Sequence, residues 1–236
     1  MTARKKIVVL TGAGISKESG IPTFRDTNGM WMKYDARKLA SVEGFVEDPQ
    51  AVLDFYNARR KNLLEVQPNH AHKMLAELEK QHDVTIVTQN VDDLHERAGS
   101  SHVIHLHGEL TKVTSSLDRL NPNCIKEYPL DVPIRMGDMA ADGSQLRPYI
   151  VWFGESLGPE IEQAAIMIEN ADIFVVIGTS LVVYPAAILV NFAQHEVPKF
   201  LIDPGKLEGR LPKGFRHIQK TAVEGIDILM ERIGKL

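Results

Sequence analysis

Gln89, Asn90 and Asp92 bring two carboxamides and a carboxylate into four positions, directly after the apolar run Val84–Thr88. Such groups can hold a polar ligand, or Asn90 and Asp92 can cap the turn that leads into Leu94. Both readings stand on the residues alone. Nine histidines compete for the role of a base. His105 and His107 alternate, which on a strand turns both to one side. An imidazole, with a pKa of about 6.5, can accept a proton around neutrality. The string Thr11-Gly12-Ala13-Gly14-Ile15-Ser16 is a second locus. Glycines at a strand-to-helix junction let backbone approach a pyrophosphate, and free N–H groups at the helix start favour its charge. A dehydrogenase fingerprint would need its third glycine where Lys17 stands. Hydride transfer therefore lacks its signature, and a tight turn without a ligand stays open.

Tyr56 and Arg59 lie three apart in a helical pattern and share one face. Alone, Arg59 reads as surface charge beside Arg60 and Lys61, and Arg4-Lys5-Lys6 reads the same way.

The elements that must position these groups follow from periodicity. Ile7–Leu10, Val84–Thr88, Ile173–Ile177 and Lys199–Ile202 read as buried parallel strands, each ending at a loop. Helical patterns cover Pro49–Glu65, with Asp48 as N-cap, and Asn69–Lys80, Pro159–Asn170, Pro185–Gln194 and Ala222–Ile233. Strand alternating with helix gives an α/β fold, a Rossmann-like parallel sheet whose ligands sit beyond the carboxyl ends of the strands. Two stretches do not fit that core, and a long loop-rich excursion is usually a subdomain. The expected partition of residues 1–236 is a core of about 1–25, 68–110 and 148–236, with a smaller inserted domain of about 26–67 and 111–147.

Composition narrows the class. The 236 residues are 44% hydrophobic and carry a net charge of −4, without a long basic run, so no nucleic-acid partner is expected. The lone cysteine, Cys124, excludes an internal disulfide and any zinc site built of several thiolates. The apolar stretch Asp172–Val190 is broken by Gly178-Thr179-Ser180 and Pro185, which argues against a membrane span. Ile7–Leu10 is too short for a signal core. A cytoplasmic protein is expected.

Five blocks, in order, resemble the sirtuin family: Gly12-Ala13-Gly14-Ile15-Ser16 with Ser19-Gly20-Ile21-Pro22-Thr23-Phe24-Arg25; Thr88–His95; His105-Leu106-His107-Gly108-Glu109; Val151-Trp152-Phe153-Gly154-Glu155; and Ile177-Gly178-Thr179-Ser180. They span Ile7 to about Asp203. The resemblance implies a Rossmann-like domain, a smaller domain and a cleft between them. It implies NAD as a consumed co-substrate and acylated lysine peptides or proteins as the other substrate. In that reading Gly12, Ala13, Gly14, Ile15, Pro22, Phe24, Arg25 and Gln89 bind the cofactor, as do Gly178, Thr179 and Ser180. Asn90 and Asp92 hold the nicotinamide end and help expel it. His107, which precedes Gly108-Glu109, is the catalytic base, and His105 is packed or bonded locally. Asp203 replaces the asparagine common in the family and still accepts from the adenine ribose; Ala222 flanks the adenine. Val151, Phe153, Gly154 and Glu155 form one side of a peptide clamp, and Val182 and Tyr184 the other. Tyr56, Arg59 and Ala36 match the family members that accept succinyl- or malonyl-lysine. The products are free lysine, nicotinamide and 2′-O-acyl-ADP-ribose. Ser115 stands where the family's first zinc cysteine would be, so no zinc is expected. A mono-ADP-ribosyltransferase and a non-catalytic module for NAD or ADP-ribose remain the alternatives.

Overall fold

The computed structural model of the chain describes residues 4–22, 36–205 and 213–236. Its strands are β1 (Lys6–Thr11), β2 (Asp83–Thr88), β3 (Val103–His105), β4 (Gly108–Ser115), β5 (Lys126–Glu127), β6 (Leu146–Ile150), β7 (Ile173–Ile177), β8 (Lys199–Ile202) and β9 (Phe215–Ile218). Six of them form one parallel sheet in the order β3-β2-β1-β7-β8-β9. The chain winds outward from β1 in one direction, then restarts beside β1 at β7 and winds the other way. A doubly wound sheet opens a crevice at that reversal, outside the carboxyl ends of the strands.

The central strands are apolar on both sides because both sides are covered. Ile7, Val9, Val175 and Ile177 point into one cluster, while Val8, Leu10, Phe174 and Val176 point into another. Alternation along a strand sends successive side chains to opposite faces, so these strands read as unbroken hydrophobic runs. Helices α1 (Ala13–Ser16), α2 (Ala36–Leu39), α3 (Val42–Glu47), α4 (Pro49–Glu65), α5 (His70–Leu78), α6 (Leu94–Ala98), α7 (Glu160–Glu169) and α8 (Ala222–Ile233) follow in chain order. The first face takes α5 and α8, with Leu75, Ile226 and Leu229 fully buried. The second takes α7 and a 3-10 turn at Ala186–Phe192. Burying each such side chain stabilises the fold by roughly 1.5–3 kcal/mol.

Strand β4 pairs antiparallel with β5 and β6 in a second, three-stranded sheet. Helix α4 lies over it, started by Asp48, whose side chain accepts from Ala51 N ahead of Pro49. Leu53 of α4 joins Val113, Cys124, Ile134 and Leu146 in a small core. This sheet runs from Gly108 to Ile150.

Three expectations need correcting. Arg60 is not surface charge: it is 0% exposed and donates to the carbonyls of Leu110, Tyr128, Pro129 and Val132. Four acceptors compensate the loss of water around a buried guanidinium. The Pro185–Gln194 pattern forms a 3-10 turn. His107 does not share a strand with His105, because β3 ends at His105 and His107 sits in the turn before β4.

Candidate active site

Three loops leave the carboxyl ends of β1, β2 and β7 and meet at the reversal of the sheet. The first two are held together from below. Thr11 Oγ1 donates to Thr88 Oγ1 (2.9 Å) and lies 3.1 Å from His95 Nε2, while Asn90 N donates to Thr88 Oγ1. Burial drives the His95 pKa well below the usual imidazole value, helped by His72 and His105 nearby.

The glycines of the first loop serve a closer approach than the one expected. A Cβ on Gly12 would lie 2.6 Å from Thr179 Cβ, and one on Gly14 would lie 2.6 Å from Gly178 Cα. Gly12 N donates to Ile177 O and Gly14 N to Gly178 O. These N–H groups are therefore committed to the loop after β7 rather than free for an anion. Gly178 has φ +62, and a side chain there would strike Ile15 N. Ile15 itself is buried in the core and does not line the cavity.

Above the loops lies a cavity of about 720 Å³, within the range of small-molecule sites. Gly12, Ala13, Gly14 and Pro22 line it, as do Gln89, Asn90, Asp92 and His107. Gly178, Thr179, Ser180, Asp203 and Ala222 continue the lining toward β8 and α8. Tyr56, Arg59, Val151, Phe153, Gly154, Glu155, Val182 and Tyr184 complete it on the side of the small sheet. Phe24 and Arg25 lie outside the described residues, and Ala36 is described only as the first residue of α2.

Asn90 donates through Nδ2 to Gly12 O (3.2 Å) and Ser16 Oγ (3.0 Å), which leaves its amide oxygen for another partner. Asp92 accepts from Ser16 Oγ at 2.9 Å and from Leu94 N at 3.2 Å, so it does act as a local cap while facing the cavity. Burial pushes its pKa up. Ser16 is the residue that sequence reasoning passed over: it joins Asn90 to Asp92, and its place in the glycine string is the available signal.

His107 Nδ1 lies 2.9 Å from Gln89 O. A carbonyl can only accept, so Nδ1 carries the proton and Nε2 keeps its lone pair. Burial pulls the His107 pKa below the ordinary imidazole value, opposed by that backbone bond. His105 differs. Burial is the largest influence and lowers its pKa, but the bond to Glu96 (2.8 Å) and the charge of Glu96 raise it overall. Both its nitrogens face acceptors, Asn90 O and Glu96, as an imidazolium requires.

On the other side, Tyr56 is almost fully buried and its hydroxyl accepts from Trp152 Nε1 at 3.1 Å. Arg59 Cζ sits 5.7 Å from the centres of both the Phe55 and Tyr56 rings. Burial lowers the Arg59 pKa, and Tyr56 and Asp92 oppose it. Glu155 accepts twice from Arg147 (2.7 and 3.1 Å) and once from Trp152 N. Its carboxylate thus anchors the 151–155 loop. Phe153, Val182 and Tyr184 remain 43%, 48% and 72% exposed, an apolar rim around the opening.

Residues 12–185 match the Sir2 family. The chain is 56% identical over 228 residues to an NAD-dependent protein deacylase of Bacteroides thetaiotaomicron, covering 96% of this chain and 97% of that one. It is 50% identical over 229 residues to an NAD-dependent protein deacylase of Helicobacter pylori, covering 97% of each. Among solved structures, a Sir2 homolog–NAD complex superposes with a TM-score of 0.84 at 38% identity, covering 98% of this chain and 90% of that one. A Sir2 complex with an inhibitor, 2′-O-acetyl-ADP-ribose and a deacetylated p53 peptide gives 0.74 at 31% identity, covering 97% and 94%.

Proposed function

Because the chain belongs to the Sir2 family and is an NAD-dependent protein deacylase, we propose that the cavity at the sheet reversal takes NAD and an acyl-lysine side chain together. The fit rests on Gly12 and Gly14 lining the cavity, an open amide oxygen on Asn90, and an imidazole with one bare nitrogen. Bound NAD supplies a glycosidic carbon and a nicotinamide leaving group. His107 Nε2 removes a proton from a ribose hydroxyl. Asn90 and Asp92, fixed through Ser16, hold the nicotinamide end. Gln89 and Thr179, bonded at 3.0 Å, shape the ribose pocket. Asp203 and Ala222 receive the adenosine. Exclusion of water and fixed geometry lower the barrier to leaving-group departure.

The exposed rim suits an extended peptide. Phe153 already pairs through N with Ala40 O and through O with Val42 N, so strand addition falls to Gly154 and to Val182 across the opening. For the acyl chain we propose succinyl and malonyl as well as acetyl. Arg59 offers a forked donor, and Tyr56, accepting from Trp152, can still donate its own proton to a carboxylate. We further propose that the small sheet works without zinc, in a reducing cytoplasm suited to the buried thiol of Cys124. Where the family's first cysteine would stand, Ser115 Oγ bonds Asp142 Oδ2 (2.6 Å) and Ser144 Oγ (2.8 Å).

The observation that carries this reading is His107, its tautomer fixed by Gln89, on the same cavity as the glycine loop. The test incubates the protein with NAD and a succinyl-lysine peptide and follows the products by mass spectrometry. Nicotinamide and acyl-ADP-ribose in equal amounts are expected. Reduced cofactor, ADP-ribose fixed on protein, or no turnover would overturn it.

A further inference from the structure

Glu18 lies just past the glycine string, in the 3-10 turn Lys17–Ser19, and has no role in the chemistry above. Its carboxylate crosses to the far end of the chain. Oε1 accepts from Thr221 Oγ1 at 3.1 Å and Oε2 from Val223 N at 3.0 Å. Thr221 is the N-cap of α8 and already closes a capping box with Glu224. Glu18 therefore satisfies a second backbone donor of that helix, and its negative charge sits at the positive end of the helix dipole.

The two segments so joined line the same cavity: Gly12, Gly14 and Glu18 on the loop and the turn after it, and Thr221 and Ala222 at the start of α8. The loop is fixed to the sheet through Gly12 N and Gly14 N. Helix α8 is fixed through Ala222, Ile226 and Leu229 in the core. Each wall thus has its own foundation, and Glu18 is a strut between them.

We propose that Glu18 is a positioning residue that sets the width of the adenosine end of the cleft, and so governs affinity for the dinucleotide rather than the rate of deacylation. This rests on the reading that the cavity takes NAD with its adenosine toward Ala222. The test compares wild type, Glu18→Ala and Glu18→Gln in steady-state kinetics and in calorimetric titration with ADP-ribose. For Glu18→Ala, KM for NAD and Kd for ADP-ribose rise about fivefold, as loss of solvent-exposed charge-assisted bonds implies. Its kcat and KM for peptide stay near wild type. Glu18→Gln recovers part of the affinity, since its amide can accept from Val223 N. Unchanged KM and Kd in Glu18→Ala, with a lowered melting temperature or without one, would overturn the proposal, as would equal losses in kcat. Wild type that neither binds ADP-ribose nor consumes NAD would instead sink the underlying reading.

Discussion

The cleft and the far turn of the small sheet are both built from polar side chains, yet they are wired differently. In the cleft the partners come from distant parts of the chain: Asn90 reaches Ser16 and Gly12, His107 reaches Gln89, and Tyr56 meets Trp152. Among the described residues each keeps one capacity unused, an amide oxygen, a bare nitrogen or a phenolic proton. In the turn, Ser115, Asp142 and Ser144 bond one another and the nearby N–H groups of Leu117 and Asp118. A network that satisfies itself stabilises a shape, whereas one with a capacity left over is ready for a ligand.

The contrast breaks first at His107. His107→Ala should lower kcat by roughly 10²–10⁴-fold, the usual contribution of a general base, with the fold unchanged by circular dichroism. Near-normal nicotinamide release coupled to deacylation would remove the base from the account. Arg59→Met comes next. Desuccinylation should fall by roughly ten- to a hundredfold while deacetylation moves little; equal losses on the two peptides would show that Arg59 does not read the acyl carboxylate.

A pH profile sharpens the same contrast at lower amplitude. His107 must be neutral to accept a proton, and burial lowers its pKa. The acid limb of kcat/KM should therefore fall at a pH below the ordinary imidazole value of about 6.5. His105 is raised overall and should remain charged at that pH. An acid limb above the ordinary value would assign the profile to a different group.

Much of this was legible in the sequence because local signals agreed. The four central strands, α4 with its Asp48 cap, and α8 all follow from unbroken apolar runs, helical spacing and capping residues. The edge strand β9 did not, since four residues with a polar arginine and histidine give no buried-strand pattern, and the short strand expected to carry both His105 and His107 ends at His105. Arg60 was illegible for a different reason: its burial depends on carbonyls 50 to 72 positions away. The candidate site residues were proposed through motif resemblance, but the use of the glycine N–H groups by Gly178 and Ile177 is a tertiary fact that no local string contains.

The smallest effect tests the other side of the comparison. Ser115 is fully buried, and Ser115→Ala takes the acceptor from Leu117 N and Asp118 N and a donor from Asp142. Leu117, Asp118 and Asp142 are exposed, so water replaces part of the lost bonding and Tm should fall by only about 1–6 °C for a chain of this size. Hydrogen bonds from Ser115 and Ser144 hold the Asp142 pKa down to about 2. A depressed carboxylate stabilises the fold above its unfolded pKa of about 3.9 and loses that contribution as pH falls toward 2. The turn should therefore loosen in acid, and Ser115→Ala should flatten that dependence. If the bonded cluster holds the turn without a metal, a chelator leaves Tm and activity unchanged and mass spectrometry of the native protein finds no stoichiometric zinc. A chelator that lowers Tm in wild type, or an acid transition that Ser115→Ala leaves untouched, would place the strength of the small sheet elsewhere.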